Sequence, residues 1–482
     1  MKVTLEEVKK YKDYDIVPVY DEIFSDFTTP LNALRNIKEI SDRFYLLESV
    51  DTSKFSRYSY LGYNPVLTIS AKDNMVNISG NSYYSSKPLD EIKNLLKKYR
   101  APKIKGLPPF CGGLVGYFAY DSYKYFEPKL ELKSKDVAGF KDFELYMYDK
   151  VICFDAFKQK IIIIVNIKTG THVEQNYLEA LNTIEEIKKL LKKSPNLKEE
   201  KIKIIEKPKS IDDEKEYEEK LSKIKKHIYD GDIFQAVFSR RFKGKMEGSL
   251  FEAYRNLRSI NPSPYMYYMT FDDGLEVAGA SPETLCSKEN NLVMTYPIAG
   301  TRPRGKTALE DEMLEKELLK DKKELAEHNM LVDLGRNDIG RVSKFGSVKV
   351  LEYMKILRFS HVMHIASTVV GEIKDNKTSV DALESILPAG TLSGAPKLRA
   401  CQIIDSLEKE RRGIYGGALG YIDFTDNMNM CIVIRTIIKK NEDVYLQAGG
   451  GIVMDSISKA EYLETENKAM ATFKTLEAIG GK

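Results

Sequence analysis

The sequence predicts an α+β protein, and three observations point there. Runs of β-branched and aromatic residues, separated by turns rich in Gly, Asn or Lys, recur along the chain. Amphipathic or strongly charged stretches at helical spacing stand among them. The length of 482 residues exceeds what one small core needs and suggests two or three domains.

In order, RFYLLESV (43–50), PVLTISA (65–71), MVNISG (75–80), GLVGYFAYD (113–121) and the two runs within 150–167 read as strands. PLDEIKNLLKKYR (88–100) places Ile92, Leu95 and Leu96 on one helical face, and 174–193 forms a second, charged helix. Two prolines and many lysines mark 194–210 as a linker, so the expected division is 1–210 and 211–482. The second region opens with a helix at 213–230 ending at Gly231, then a strand at 232–242. Paired strands at 263–271 and 275–283 follow, with a strand at 292–305 leaving into a loop and one long helix at 308–334. Strands at 348–354 and 360–373, a helix at 396–410, strands at 417–423, 429–438 and 444–448, and a helix from about Ser458 complete it.

Composition excludes several functions. Lys plus Arg number 74 against 71 Asp plus Glu, interspersed rather than gathered in the basic stripe that nucleic acid requires. The N-terminus has no apolar signal core, and the longest apolar run, Ile161 to Val165, is too short to span a bilayer, so no membrane partner is expected. Cys111, Cys153, Cys286, Cys401 and Cys431 lack metal spacing and read as buried thiols of a cytoplasmic protein.

Candidate chemistry concentrates in QAGGGIVMDSISKAEYLETENKA (447–469). Gly449, Gly450 and Gly451 end a β-like run and let backbone amides approach an anion. Ser458 suits the cap of the next helix, with Glu461 at capping-box spacing, and Glu461, Glu464 and Lys468 share one face. Taken alone, the stretch reads as a solvated charged helix after a glycine turn; residues upstream change that reading. Glu324 and Glu327, beside His328, repeat the i, i+3 pairing on the 308–334 helix. Two helices thus offer carboxylate pairs to Mg²⁺, which accepts such oxygens together with waters and substrate. Arg435, within the apolar run MCIVIRTII, and Lys468 supply positive charge. An arginine there marks an edge or a site, or else snorkels to the surface. GTLSGAPK (390–397) opens a helix with small residues and hydroxyls, suited to an anionic oxygen or to plain capping. His364 is a candidate acid/base, a core histidine being the alternative. No nucleophile elbow, Walker A run or dinucleotide fingerprint occurs, and no G-x-C-x-G glutaminase loop.

PIAGTRPRG, AEHNMLVDLGRND, FSHVMH, GTLSGAPKLRA, YGGALGY, CIVIRT and GGGIVMDS–EYLETENKA follow one another over about 215–475 in an order that resembles the chorismate-utilising enzymes. LLES (46–49), RYS (57–59) and NPSPYMYY (261–268) make the chain similar to the anthranilate synthase component I family. The resemblance implies two interleaved layers of mostly antiparallel sheet with helices packed outside. It implies Mg²⁺-dependent conversion of chorismate and ammonia to anthranilate and pyruvate. A partner glutamine amidotransferase, component II, would deliver the ammonia, giving an assembly of unlike subunits. Carried over by motif, Glu327 and Glu464 are metal carboxylates, with Glu324 and Glu461 beside them. Gly300, Thr301, Tyr415, Arg435, Gly449, Gly450, Gly451 and Lys468 contact chorismate, while His364 and Thr391 sit near the leaving C4 hydroxyl and the pyruvyl group.

Two positions separate the relatives. Gln235 stands where isochorismate and salicylate synthases resembling this chain carry a water-activating lysine. Ala299 stands in PIAGT where aminodeoxychorismate synthases typically have a lysine nucleophile, although QAGGG is nearer their pattern. A dead synthase serving as an amino-acid sensor would have lost its carboxylates, and these are all present. The family also implies feedback inhibition by tryptophan, with Glu48 and Ser49 meeting the ligand's amino end and Pro264, Tyr265 and Met266 lining its indole. The complete absence of Trp fits an enzyme made during tryptophan shortage.

Overall fold

The computed structural model describes residues 3–50, 57–197, 200–358 and 362–480. The first three residues of FSHVMH, 359–361, therefore lie outside the described residues. Among those described, two twelve-stranded sheets form, every pair of named strands antiparallel. Both sheets run unbroken through the two expected regions. In the first, Phe44–Glu48 pairs with Tyr265–Thr270. In the second, Gly113–Phe118 pairs with Ala418–Asp423.

The physical basis is burial on both faces. Lys160–Lys168 (KIIIIVNIK) is buried along nearly its whole length, as a run covered on both sides must be. Tyr45, Tyr117, Val277 and Leu419 join the core between the sheets. A second cluster, with Leu34, Ile184, Ile187 and Leu476, packs helices on the outside of the first sheet. Among the described residues no helix is long and apolar enough to cross a membrane.

Four expectations need correction. The stretch expected as a linker ends in a strand, Lys203–Ser210, paired with Gln235–Glu247; its prolines and lysines suit an edge strand, which leaves one side unpaired. The single helix at 308–334 is two, Ala308–Leu318 and Lys322–Val342. Asp321 stops the first and caps the second, its carboxylate accepting from the amides of Lys323 and Glu324. The strand expected at 292–305 is likewise two, Leu292–Thr295 and Ile298–Pro303. The run at 429–438 divides as well, and that division builds the site.

Candidate active site

Met428–Ile432 belongs to one sheet and Thr436–Lys440 to the other, so the chain crosses between layers at 433–435. Arg435 lies at the crossing with φ 52°, a left-handed backbone that non-glycine residues adopt rarely and that gathers at functional sites. Burial pushes its pKa down, against the pull of nearby Glu283. It makes no ion pair among the described residues, so a half-buried guanidinium stands ready for an anion.

Glu283 is the residue that sequence reasoning missed. It joins Leu275–Ser281 to Thr284–Glu289 and accepts a hydrogen bond from Thr391 Oγ1 at 3.0 Å. Burial raises its pKa to about 7, opposed by Thr391, Arg435 and Lys468, so near neutrality it holds a proton part of the time. The available signal was an acidic residue wedged between two buried strands. Thr391 does not cap a helix as GTLSGAPK suggested. It lies in a single 3₁₀ turn, Gly390–Leu392, and the helix begins only at Lys397.

Gly449, Gly450 and Gly451 do not end a strand; Asp443–Ile452 runs straight through them, paired with Gln235–Glu247. What glycine supplies here is room. A Cβ at Gly451 would stand 2.3 Å from Gln235 Nε2, and one at Gly450 would stand 3.1 Å from Glu461 Oε2. Gln235 is thereby enclosed, 4% exposed. Gly449 already has partners: its N–H meets the buried Tyr415 hydroxyl, and its carbonyl accepts from Lys468 Nζ at 3.0 Å. Gly451, two residues along, turns its backbone to the same side, which narrows the expected anion contact to that residue.

The carboxylate pairs sit on helix beginnings. Glu461 and Glu464 occupy the first two turns of Ser458–Gly480. Ser458 is the first helical residue rather than the cap, and Glu461 Oε1 accepts instead from Ser456 Oγ at 2.8 Å. Burial raises the pKa of Glu461, Ser456 opposes this, and Glu464 raises it further. Lys323, at the start of Lys322–Val342, favours its ionised form from across the cleft. Glu324 lies against Gly300, where a Cβ would stand 3.3 Å from Oε2; burial and then Glu327 raise its pKa. Lys468 pairs with Glu464 at 2.8 Å rather than standing free.

Among the described residues no three carboxylate, His or Cys side chains converge on a metal-binding arrangement. The pairs nevertheless suit Mg²⁺: burial first, then the like charge of a neighbour, pushes half-buried Glu324 and Glu461 toward neutrality, and a hard cation favours their ionised forms. Such an ion would take its remaining oxygens from substrate and water.

His364, on Val362–Glu372, places Nδ1 2.9 Å from the Gly300 carbonyl and 3.1 Å from Thr301 Oγ1. Burial lowers its pKa, Gly300 opposes this, and Arg435 lowers it further, which favours the neutral imidazole. The adjoining segment carries Ala299 and a bulge at Gly300, whose φ is 67°. The residue singled out beside Glu327, His328, is wholly buried, its Nε2 2.6 Å from Ser367 Oγ, and plays a packing part.

The two segments expected to hold an inhibitor are neighbouring strands, Glu48 opposite Met266. Glu48 is buried and engaged by Tyr254 and Arg258. Tyr265 reaches the other sheet through Thr284 and Asn429, at 2.7 and 2.8 Å. Ser49 Oγ and Asn261 Nδ2 are buried without a hydrogen-bond partner among the described residues.

A two-sheet fold that sets a half-buried arginine beside a carboxyl, with carboxylate pairs on two helix beginnings, suits an enzyme for an anionic substrate. The model of the chorismate binding enzyme family matches residues 42–474, and the chain belongs to that family. Relatives that match over the whole length include anthranilate synthase component 1 chains. That of Acetivibrio thermocellus is 46% identical, covering 99% of each chain, and that of Aquifex aeolicus 43% identical, covering 99% of this chain and 98% of its own. The crystal structure of anthranilate synthase component I from Streptococcus pneumoniae superposes with a TM-score of 0.78 at 37% identity, covering 94% of this chain and 99% of that one. The menaquinone-specific isochorismate synthase of Escherichia coli shares the fold, with a TM-score of 0.71 at 19% identity over 98% of each chain.

Proposed function

We propose that the chain combines chorismate with ammonia to give anthranilate and pyruvate, in a Mg²⁺-dependent reaction restrained by tryptophan. The observation that carries the reaction is a neutral Gln235, enclosed against Gly451, together with a proton-holding Glu283 beside Arg435. Water as nucleophile would need a base where Gln235 lies, whereas ammonia needs none.

Arg435 and the Gly451 amide orient one substrate carboxylate. Glu327 and Glu464, with Glu324 and Glu461 beside them, would hold Mg²⁺, which when bound neutralises charge on the other carboxylate. Nitrogen bonds to C2 as the C4 hydroxyl departs. Glu283 gives that hydroxyl its proton so that it leaves as water, and the ammonium formed on the ring releases one to solvent. His364, neutral and held by Gly300 and Thr301, then takes the C2 proton. That electron pair completes the aromatic ring as the C3–O bond breaks, and the enolpyruvate released is protonated to pyruvate.

Without a glutaminase loop of its own, the chain takes ammonia from a glutamine amidotransferase subunit. Tryptophan regulation is supported by the pairing of Phe44–Glu48 with Tyr265–Thr270, and by Ser49 and Asn261 as polar groups open to a ligand's amino and carboxylate ends. A ligand spanning that seam can favour one packing of the sheet over another, as allostery requires. The test incubates purified chain with chorismate, Mg²⁺ and ammonium: fluorescent anthranilate and equimolar pyruvate are expected, with glutamine inactive. Aminodeoxychorismate or isochorismate accumulating without pyruvate refutes the reading.

A further inference from the structure

The helix that carries Glu461, Glu464 and Lys468 is held unevenly. Its apolar anchors come late: Ala469, Leu476 and Ile479 enter the core, and Phe473 packs edge-on against Phe242 at 5.1 Å. In the first two turns Leu463 is exposed, and the half-buried Tyr462 packs edge-on against Tyr217 at 5.5 Å. These turns are gripped as well by Arg240, which lies in Gln235–Glu247 opposite Ala448 and is 1% exposed. Its Nη1 donates to the Tyr462 carbonyl and to Thr465 Oγ1, both at 3.0 Å, and Nη2 donates to Glu466 Oε1 at 3.3 Å. Nε donates to Ser210 Oγ at 3.3 Å, and the guanidinium stacks 3.5 Å from the Tyr462 ring centroid.

Tyr462 and Thr465 directly follow Glu461 and Glu464 in sequence. Arg240 therefore holds the face of the helix next to the one presenting the carboxylates. The neighbouring Arg241 points the other way, to Gln447 and the carbonyls of Arg411 and Arg412. A planar fork with fixed donor directions fixes rotation about the helix axis as well as distance, which a single ammonium does not.

We propose that Arg240 is a positioning residue that sets the rotation of the first two turns, and so places Glu461 and Glu464 for the metal and Lys468 for the substrate. The inference rests on the metal reading above. It touches neither substrate nor metal and acts through the helix.

The test is calorimetric titration of Mg²⁺ into the chorismate-bound protein, compared with the ammonia KM. Arg240→Lys keeps the charge but cannot reach all four acceptors. It should weaken Mg²⁺ binding roughly 10- to 100-fold, the range for partners that orient metal ligands, while the KM for ammonia stays unchanged. Thr465→Val removes one acceptor and should give a smaller shift in the same direction; it decides the matter if Arg240→Lys does not fold. A purely structural role would lower the melting temperature and the active fraction with Mg²⁺ affinity unmoved, and that result overturns the proposal. Wild-type protein with no saturable Mg²⁺ binding would overturn the metal reading and this inference with it. Wild-type binding with unshifted variants overturns the inference alone.

Discussion

The two walls of the proposed site are built differently. The anion wall (Arg435, Glu283, Thr391, Tyr415 and the glycine strand) combines a crossing between sheets, a link between strands, a 3₁₀ turn and a strand interior. The carboxylate wall (Glu324, Glu327, Glu461 and Glu464) rides on the opening turns of two helices and is half-open to solvent. One wall stores its strain before any ligand arrives, in a left-handed Arg435 and a Glu283 whose pKa burial raises to about 7. The other stores like-charge repulsion. A substrate anion relieves the first and a cation the second, so the two ligands should need one another.

Changes to the anion wall should be the larger. Arg435→Met removes the proposed charge partner of the substrate and should lower kcat/KM roughly 150-fold to several thousandfold, about 3–5 kcal/mol of lost stabilisation, with the melting temperature unchanged or raised. Steady-state kinetics and thermal denaturation together check this.

Glu283→Gln should lower kcat about 100-fold or more, the usual range for a lost general acid. In the wild type, with rates referred to free NH₃, kcat should fall as pH rises above about 7, because Glu283 then loses its proton. That limb should vanish in the variant. The stability effect follows the same shift. The folded pKa lies above the unfolded value of about 4.5, so the folded protein binds more protons in between and wild-type stability falls as pH rises from 4.5 through 7. Glu283→Gln should therefore unfold at a higher temperature than wild type at pH 8.

On the carboxylate wall, Glu464→Gln should leave the fold intact and raise the Mg²⁺ needed for half-maximal rate by roughly tenfold or more. Near-wild-type turnover at limiting Mg²⁺ would remove Glu464 from the metal site. Ser49→Phe, away from both walls, should leave ammonia-dependent turnover alone and abolish tryptophan inhibition. A wild-type rate that stays flat through millimolar tryptophan would retire the regulatory proposal.

The same contrast explains what the sequence revealed. The carboxylate wall was legible because helical spacing puts Glu324 with Glu327 and Glu461 with Glu464 whatever the tertiary fold. The fold class was legible from strand runs such as 160–168. The anion wall was legible only as motifs. Its geometry depends on where the chain changes sheets at Arg435, and MCIVIRTII reads as one continuous strand. Glu283 escaped because its chemistry comes from long-range burial, to which local pattern is blind. The linker failed for a related reason, since an edge strand tolerates the Pro and Lys that otherwise signal a loop. Gly449 to Gly451 looked like a turn, yet their service is to leave space for Gln235 and Glu461, side chains distant in sequence.

If an anion wall and a cation wall complete each other around chorismate, each ligand must strengthen the binding of the other. Calorimetric titration of chorismate into the wild-type chain, without ammonia, with and without Mg²⁺, tests it most directly. Mg²⁺ should tighten chorismate binding, and chorismate should tighten Mg²⁺ binding by the same factor, about tenfold or more, since linkage is reciprocal. Equal chorismate affinity with and without Mg²⁺ would contradict it.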